Sequence, residues 1–306
     1  MTGIKPEVAA YIDEKMKHSF VMTPISMREG SIQMCLEQRC PKVPMANVID
    51  TVMSQCGEYN VPVRVYVPHT ETMLPVLVYY HGGGFVVDSV AMYDTICRRI
   101  AAATNHIVIA PEYRLAPENP YPAAEVDAIA VAKRALPTLT YLGVAHMNDV
   151  TLCGDSAGGY LAAKTALALQ DDAAVPLTHQ ILVYPCLDMT CSYPSIAENC
   201  NAKTGFLAEK LRWYFWNYFP LQVDRKGVSP LFQPITPSLV PTLVITAQYC
   251  PFRDEGTAYV ERLRAQGIRA EQYNYENMVH SYLNFEQICD DEICDTYKRM
   301  KTFLQA

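Results

Sequence analysis

Residues 150–169 read VTLCGDSAGGYLAAKTALAL. A short apolar run from Val150 to Cys153 leads into Gly-Asp-Ser-Ala-Gly, and the segment from Tyr160 onward is rich in Ala and Leu and lacks Gly and Pro. The pattern predicts a strand, a tight turn and a helix. A serine on such a turn presents its hydroxyl at the end of the strand, and glycines two residues to either side, Gly154 and Gly158, leave room for close backbone approach. Ser156 is the candidate nucleophile. Taken alone, the pentapeptide also fits a Gly-rich turn in any α/β protein whose serine caps a helix, so the surrounding chain decides.

Working outward, Val76 to Tyr80 is an unbroken apolar run, as expected of a strand buried on both faces, and it ends in His81-Gly82-Gly83-Gly84-Phe85. Three consecutive glycines are costly in chain entropy, so something there requires backbone without side chains. In acyl transfer that requirement is an oxyanion hole, in which amide N–H groups face the developing negative oxygen. A phosphate loop would end in Gly-Lys-Ser/Thr, which this segment lacks.

The strand pattern recurs along the chain. Val61, Val63, Val65 and Val67 alternate strictly and pair with Val48 to Met53 as an antiparallel hairpin across Gly57 and Asn60, with Pro62 near the start of its second strand. Further strands are expected at 107–110, 150–153, 181–184, 243–247 and 270–275, making eight. Prolines at 111, 117, 120 and 122 delay a helix until Ala123, and that helix is expected to end at Leu136, before Pro137. Val8, Ile12 and Met16 form one stripe on a short helix, and residues 18–46 read as irregular. The expected fold is α/β, a mostly parallel eight-stranded sheet with helices on both faces. Residues 187–228 interrupt the alternation with Phe206, Trp213, Tyr214, Phe215, Trp216, Tyr218 and Phe219, an aromatic insertion suited to a lid over an apolar pocket.

Composition sets the outer bounds. At 306 residues, half of them hydrophobic, the chain can bury a large core. A net charge of −7 without a basic block argues against nucleic acid as a partner. The eleven cysteines include no CxxC pair and no zinc-spaced Cys/His set, so free thiols in a reducing compartment are expected, with Cys289 and Cys294 unpaired and no metal or cofactor. The N-terminal residues lack the apolar core of a signal peptide and no run reaches membrane-spanning length, which makes the cytoplasm the expected location and a membrane span unexpected.

Three motifs in order, HGGGF at 81–85, YRLAPENPYPAA at 113–124 and GDSAGG at 154–159, resemble the hormone-sensitive-lipase-like branch of the α/β-hydrolases, whose bacterial members are carboxylesterases. The likeness continues through SPLF at 229–232, FRDEG at 252–256 and VHSY at 279–282. It implies an α/β-hydrolase core of residues 47–186 and 229–306, with a two-part cap from residues 1–46 and 187–228. It also implies Ser156 as nucleophile, His280 as its general base, and Gly83, Gly84 and the Ala157 amide as the oxyanion hole. His81 and Asp155 match positions that support the loop and the turn. The resemblance allows a homodimer joined through the sheet edge. Independently, His280 follows the last expected strand, where this fold presents its histidine.

One position departs from the pattern. The family's acid stands first in a D-P-L-R-D-E-G-like run, and here that run is Cys250-Pro251-Phe252-Arg253-Asp254-Glu255-Gly256. A triad carboxylate fixes the histidine tautomer and stabilises the imidazolium, and a neutral thiol does neither well. A thiolate would hold the histidine protonated. Three accounts stand open. Another carboxylate reaches His280, Asp254, Glu255 and Glu276 being nearest in sequence; a Ser-His dyad works slowly; or the protein binds a small apolar ligand with little turnover. The expected activity is a serine carboxylesterase acting on small apolar short-chain esters with reduced efficiency, and a ligand-binding pseudo-hydrolase is the alternative.

Overall fold

The computed structural model describes residues 3–17, 21–55 and 59–306. Its single sheet contains β1 (Asn47–Gln55), β2 (Tyr59–Val67), β3 (Leu74–Tyr80), β4 (Ile107–Pro111), β5 (His146–Asp155), β6 (Leu177–Val183), β7 (Thr242–Tyr249) and β8 (Ala270–Val279), in the order β1-β2-β4-β3-β5-β6-β7-β8. The first two pairings are antiparallel and the remainder parallel. β1 and β2 pair from Asn47 opposite Val67 to Gln55 opposite Tyr59. Gly57, assigned to the hairpin connection, lies outside the described residues. The alternation of β2 puts Val61, Val63 and Val65 in the core, while outward Arg64 forms a two-pronged pair with the directly opposite Asp50 (2.7 and 2.9 Å).

The helices are α1 (Pro6–Met16), α2 (Pro24–Gln38), α3 (Asp94–Thr104), α4 (Ala123–Tyr141), α5 (Ala157–Leu169), α6 (Pro194–Asn199), α7 (Ala208–Tyr218), α8 (Arg225–Val228), α9 (Arg253–Ala265) and α10 (Asp290–Leu304). Two differ from the sequence expectation. Residues 24–38 form a full helix rather than an irregular segment, begun by Pro24 in its first turn and a capping box in which Thr23 and Ser26 each bond the other's backbone N–H. α4 runs through Pro137 to Tyr141. The proline removes one backbone bond, and fully buried Leu139 anchors the turn beyond it. In α1, Val8 and Ile12 are buried, whereas Met16, the third member of the expected stripe, is exposed.

The N-terminal segment is tied to distant parts of the chain. Lys5 donates its backbone N–H to Asn277 (3.0 Å) and pairs with Glu292 (2.8 Å), and Gln287 N–H donates to Gln38 (3.0 Å). From α2, Arg28 donates to the carbonyls of Val86 (2.9 Å) and Ala116 (3.1 Å) and pairs with Glu118. All described cysteines are free, including Cys289 and Cys294. Among the described residues no helix is long and apolar enough to cross a membrane.

Candidate active site

β5 delivers Ser156 at φ 55°, ψ −118°, a conformation that non-glycine residues rarely adopt. Glycines on both sides make the turn closable. A Cβ on Gly154 would fall 2.3 Å from the Gly158 carbonyl oxygen, and one on Gly158 would fall 1.9 Å from that of Tyr80. Asp155 points into a buried ring of phenols, accepting from Tyr79 (2.9 Å), Tyr93 (3.1 Å) and Tyr184 (3.3 Å). Burial pushes its carboxyl up to about 7. α5 starts at Ala157, whose N–H is one of the donors that a helix N-terminus leaves without an intrahelical partner.

The glycine loop follows β3. Gly83 (φ 97°) and Gly84 (φ 58°) both use the left-handed region. The Gly83 carbonyl is turned inward to accept from Val86 (3.1 Å) and Val87 (3.0 Å). A Cβ on Gly84 would fall 2.5 Å from the Tyr214 ring of α7. Buried His81 stacks on Tyr113 at 4.3 Å, and the Tyr113 hydroxyl donates to the carbonyls of His81 (2.8 Å) and Gly82 (3.0 Å). His81 is held neutral by burial, its value pushed down to about 4. His81 and Asp155 thus brace the two turns.

β8 ends at Val279 and His280 follows. Its Nε2 lies 2.9 Å from the Ser156 hydroxyl and its Nδ1 lies 3.1 Å from Cys250 Sγ. The Phe252 N–H also points at that sulfur (3.3 Å). Tyr184, Phe206 and Phe252 set ring edges against the imidazole at centroid distances of 5.0, 5.1 and 5.0 Å. Burial in this aromatic cage, with the Lys210 ammonium nearby, pushes His280 down to about 3. Burial also pushes the Cys250 thiol well above its usual range, with the Phe252 N–H partly opposing. Both groups are therefore neutral near pH 7.

The other nominated acids lie elsewhere. Asp254 accepts the backbone N–H of Ser195 (3.0 Å) and pairs with Arg253 (2.8 Å) at the start of α9. Glu255 is buried and accepts the Leu187 N–H (2.6 Å). Glu276 is exposed. None of the three hydrogen-bonds to His280, whose Nδ1 has Cys250 as its partner among the described residues.

A neutral thiol leaves two tautomers open. With the proton on Nδ1, the imidazole donates to sulfur and Nε2 can receive the serine proton. With the thiol donating to Nδ1, Nε2 carries hydrogen and cannot. The Phe252 N–H, by facing sulfur, favours the first arrangement because it holds the sulfur in an acceptor role. A carboxylate would impose that arrangement outright.

Residues that the sequence patterns did not nominate also line this region. Asp88, at φ 73° beyond the glycine loop, is bonded by Ser31 of α2. Lys210 on α7 lies between Phe206 and Tyr214, four residues from each. Lys210 and Tyr214 both lie in α7, and their i, i+4 spacing was the available signal that these two share a face. Of the aromatic insertion, Phe206, Tyr214, Tyr218 and Phe219 pack inward, with Tyr218 stacked on Phe85 at 3.9 Å, whereas Trp216 is exposed.

Comparison with known proteins fits this arrangement. Residues 77–284 match the family described as the alpha/beta hydrolase fold, and residues 35–117 match the carboxylesterase family. The chain is 35% identical to the esterase LipI of Mycobacterium tuberculosis, over 81% of this chain and 78% of that protein. It is 31% identical to an ethyl acetate hydrolase of Pseudomonas putida, over 80% and 78%. Among solved structures, a hyperthermophilic esterase from the archaeon Pyrobaculum calidifontis superposes over the full length of both chains with a TM-score of 0.89 at 31% identity. With a serine turn, a glycine loop and a histidine meeting at the ends of β5, β3 and β8, and relatives of this similarity, the chain belongs to the hormone-sensitive-lipase-like family of α/β-hydrolases and is a hydrolase.

Proposed function

We propose that the protein hydrolyses short-chain carboxylic esters through an acyl-enzyme on Ser156, with turnover held down by Cys250 at the acid position. The contact that carries this reading is the 2.9 Å approach of Ser156 Oγ to His280 Nε2. Oγ attacks the ester carbonyl as Nε2 takes its proton, and the tetrahedral oxygen is received by the N–H groups of Gly83, Gly84 and Ala157. The imidazolium returns the proton to the leaving alcohol. Water, deprotonated by the same nitrogen, then releases the acid and regenerates the serine. Residues 1–46 and 187–228 act as the cap over a core of 47–186 and 229–306. The contact of Tyr214 with Gly84 and the bonds from Arg28 to Val86 and Ala116 support that division.

The test is hydrolysis of p-nitrophenyl acetate and butyrate by the protein and by Ser156→Ala, with mass spectrometry of the quenched enzyme. Turnover confined to the parent, with an acyl mass on the peptide containing Ser156, is the expected result. Turnover persisting in Ser156→Ala would overturn the mechanism. Ester binding without any acyl mass or turnover would make the chain a ligand binder on the same scaffold.

A further inference from the structure

The face of α7 turned toward the glycine loop carries a cation. Lys210 Nζ stands 5.7 Å from the centroid of the Phe206 ring, and that ring is packed edge-on against His280 at 5.1 Å. Four residues on, Tyr214 lies against Gly84. Lys210 is therefore one aromatic ring removed from the base and one helical turn from the glycine loop. No carboxylate lies within ion-pairing distance of it among the described residues. The Asp88 carboxylate, bonded by Ser31 of α2, is an opposing charge that acts on Lys210 from beyond ion-pairing distance.

A half-buried ammonium set over an aromatic ring, with its opposing charge beyond ion-pairing distance, can still take up an anion. We propose that Lys210 receives an anionic group of the substrate, so that the preferred esters carry a carboxylate on the acyl chain, as half-esters of short dicarboxylic acids do. This deepens the esterase reading and rests on it. Lys210 is a specificity-determining residue.

The same charge bears on the base. The ammonium lies close enough to disfavour protonation of His280, and catalysis requires that protonation. With a thiol at the acid position, no carboxylate offsets it. A substrate carboxylate seated on Lys210 neutralises the opposing charge as the imidazolium forms, so the anion improves kcat as well as KM.

The experiment compares mono-p-nitrophenyl glutarate with neutral p-nitrophenyl pentanoate, using the full chain, Lys210→Gln and Lys210→Met. The expected result is a kcat/KM at least about tenfold higher for the anionic ester, split between kcat and KM and shrinking with added salt. Both variants should lose that preference, while their kcat for the neutral ester rises several-fold. Equal kcat/KM for the two esters, or a preference kept in Lys210→Gln, overturns the proposal while leaving ester hydrolysis intact. Absence of Ser156-dependent turnover on either ester is the failure of the esterase reading instead. In that event calorimetry on Ser156→Ala decides. Monoethyl glutarate should bind more tightly than ethyl pentanoate, and the gap should vanish in Ser156→Ala/Lys210→Gln; equal affinities in Ser156→Ala overturn the proposal.

Discussion

Cys250→Asp is expected to turn a slow enzyme into a fast one. The surroundings already suit a carboxylate: His280 Nδ1 at 3.1 Å and the Phe252 N–H at 3.3 Å both face the sulfur, and an aspartate there would accept from both. Neutralising the acid of a serine-protease triad lowers turnover by about 10⁴, equivalent to about 5.5 kcal/mol of barrier. Full recovery is not expected, because Cys250 is completely buried and two donors only partly offset the desolvation of a carboxylate. A rise in kcat of about 10² to 10⁴ follows, with KM little changed because the side chain lies behind the histidine. The assay is steady-state hydrolysis of p-nitrophenyl butyrate between pH 4 and 9. The pH profile supplies a second readout, since a carboxylate beside Nδ1 raises the histidine from about 3 and moves the acid limb upward. A parent that is already fast, with kcat and acid limb unmoved by the substitution, would refute the reasoning.

Other expectations follow from single contacts. In the parent, a base held down to about 3 stays neutral across the mildly acidic range, so kcat/KM should be flat from pH 8 to about 5. Below the ordinary value of 6.5 the unfolded chain binds a proton that buried His280 refuses. Its contribution to stability is thus complete above 6.5 and lost as pH falls toward 3, by about 1.4 kcal/mol per pH unit at most, measurable as urea midpoints. Ser156→Gly should abolish turnover yet stabilise the fold by about 1 kcal/mol, because φ 55° is strained for serine; an unchanged or lowered urea midpoint would contradict the strain. Gly158→Ala, whose Cβ would fall 1.9 Å from the Tyr80 carbonyl oxygen, should cost about 4 kcal/mol or more and is checked by thermal melting. Gly84→Ala adds a methyl against the Tyr214 ring at φ 58° and should lower kcat by about 10² or more with a smaller effect on stability.

Those parts of the fold that rest on periodicity were legible in the sequence. The Val61–Val67 alternation and the apolar runs of β3 to β7 identify six of the eight strands, because sheet burial imposes a period of two or a continuous run. α2 was not legible from hydrophobic periodicity, since the stripe it turns inward mixes polar Arg28, Ser31 and Gln38 with Met27, Met34 and Cys35; Thr23-Pro24 with Ser26 was the sign that it starts there. Pro137 marks a helix end by local rule, and the packing of Leu139 overrides it. At the site, Ser156 and His280 lie 124 residues apart in the chain yet were paired by motif order. Separating Cys250 from Asp254, Glu255 and Glu276 required distances, because the start of α9 turns Asp254 toward Ser195 and Glu255 toward Leu187. Lys210 was hidden within an aromatic run because nothing local reports that the Phe206 ring beside it packs on His280.

The tethering of the N-terminal segment bears on how the molecule assembles. Lys5 finds its ion-pair partner 287 residues away at Glu292, and Cys40 bonds Glu286 across 246. Contacts of such long sequence separation form slowly. The sheet can come together while α2 still waits. Because α2 supplies the Arg28 bonds to Val86 and the Ser31 bond to Asp88, the glycine loop is braced only after the far end of the chain has docked, and refolding should restore native secondary structure before it restores activity.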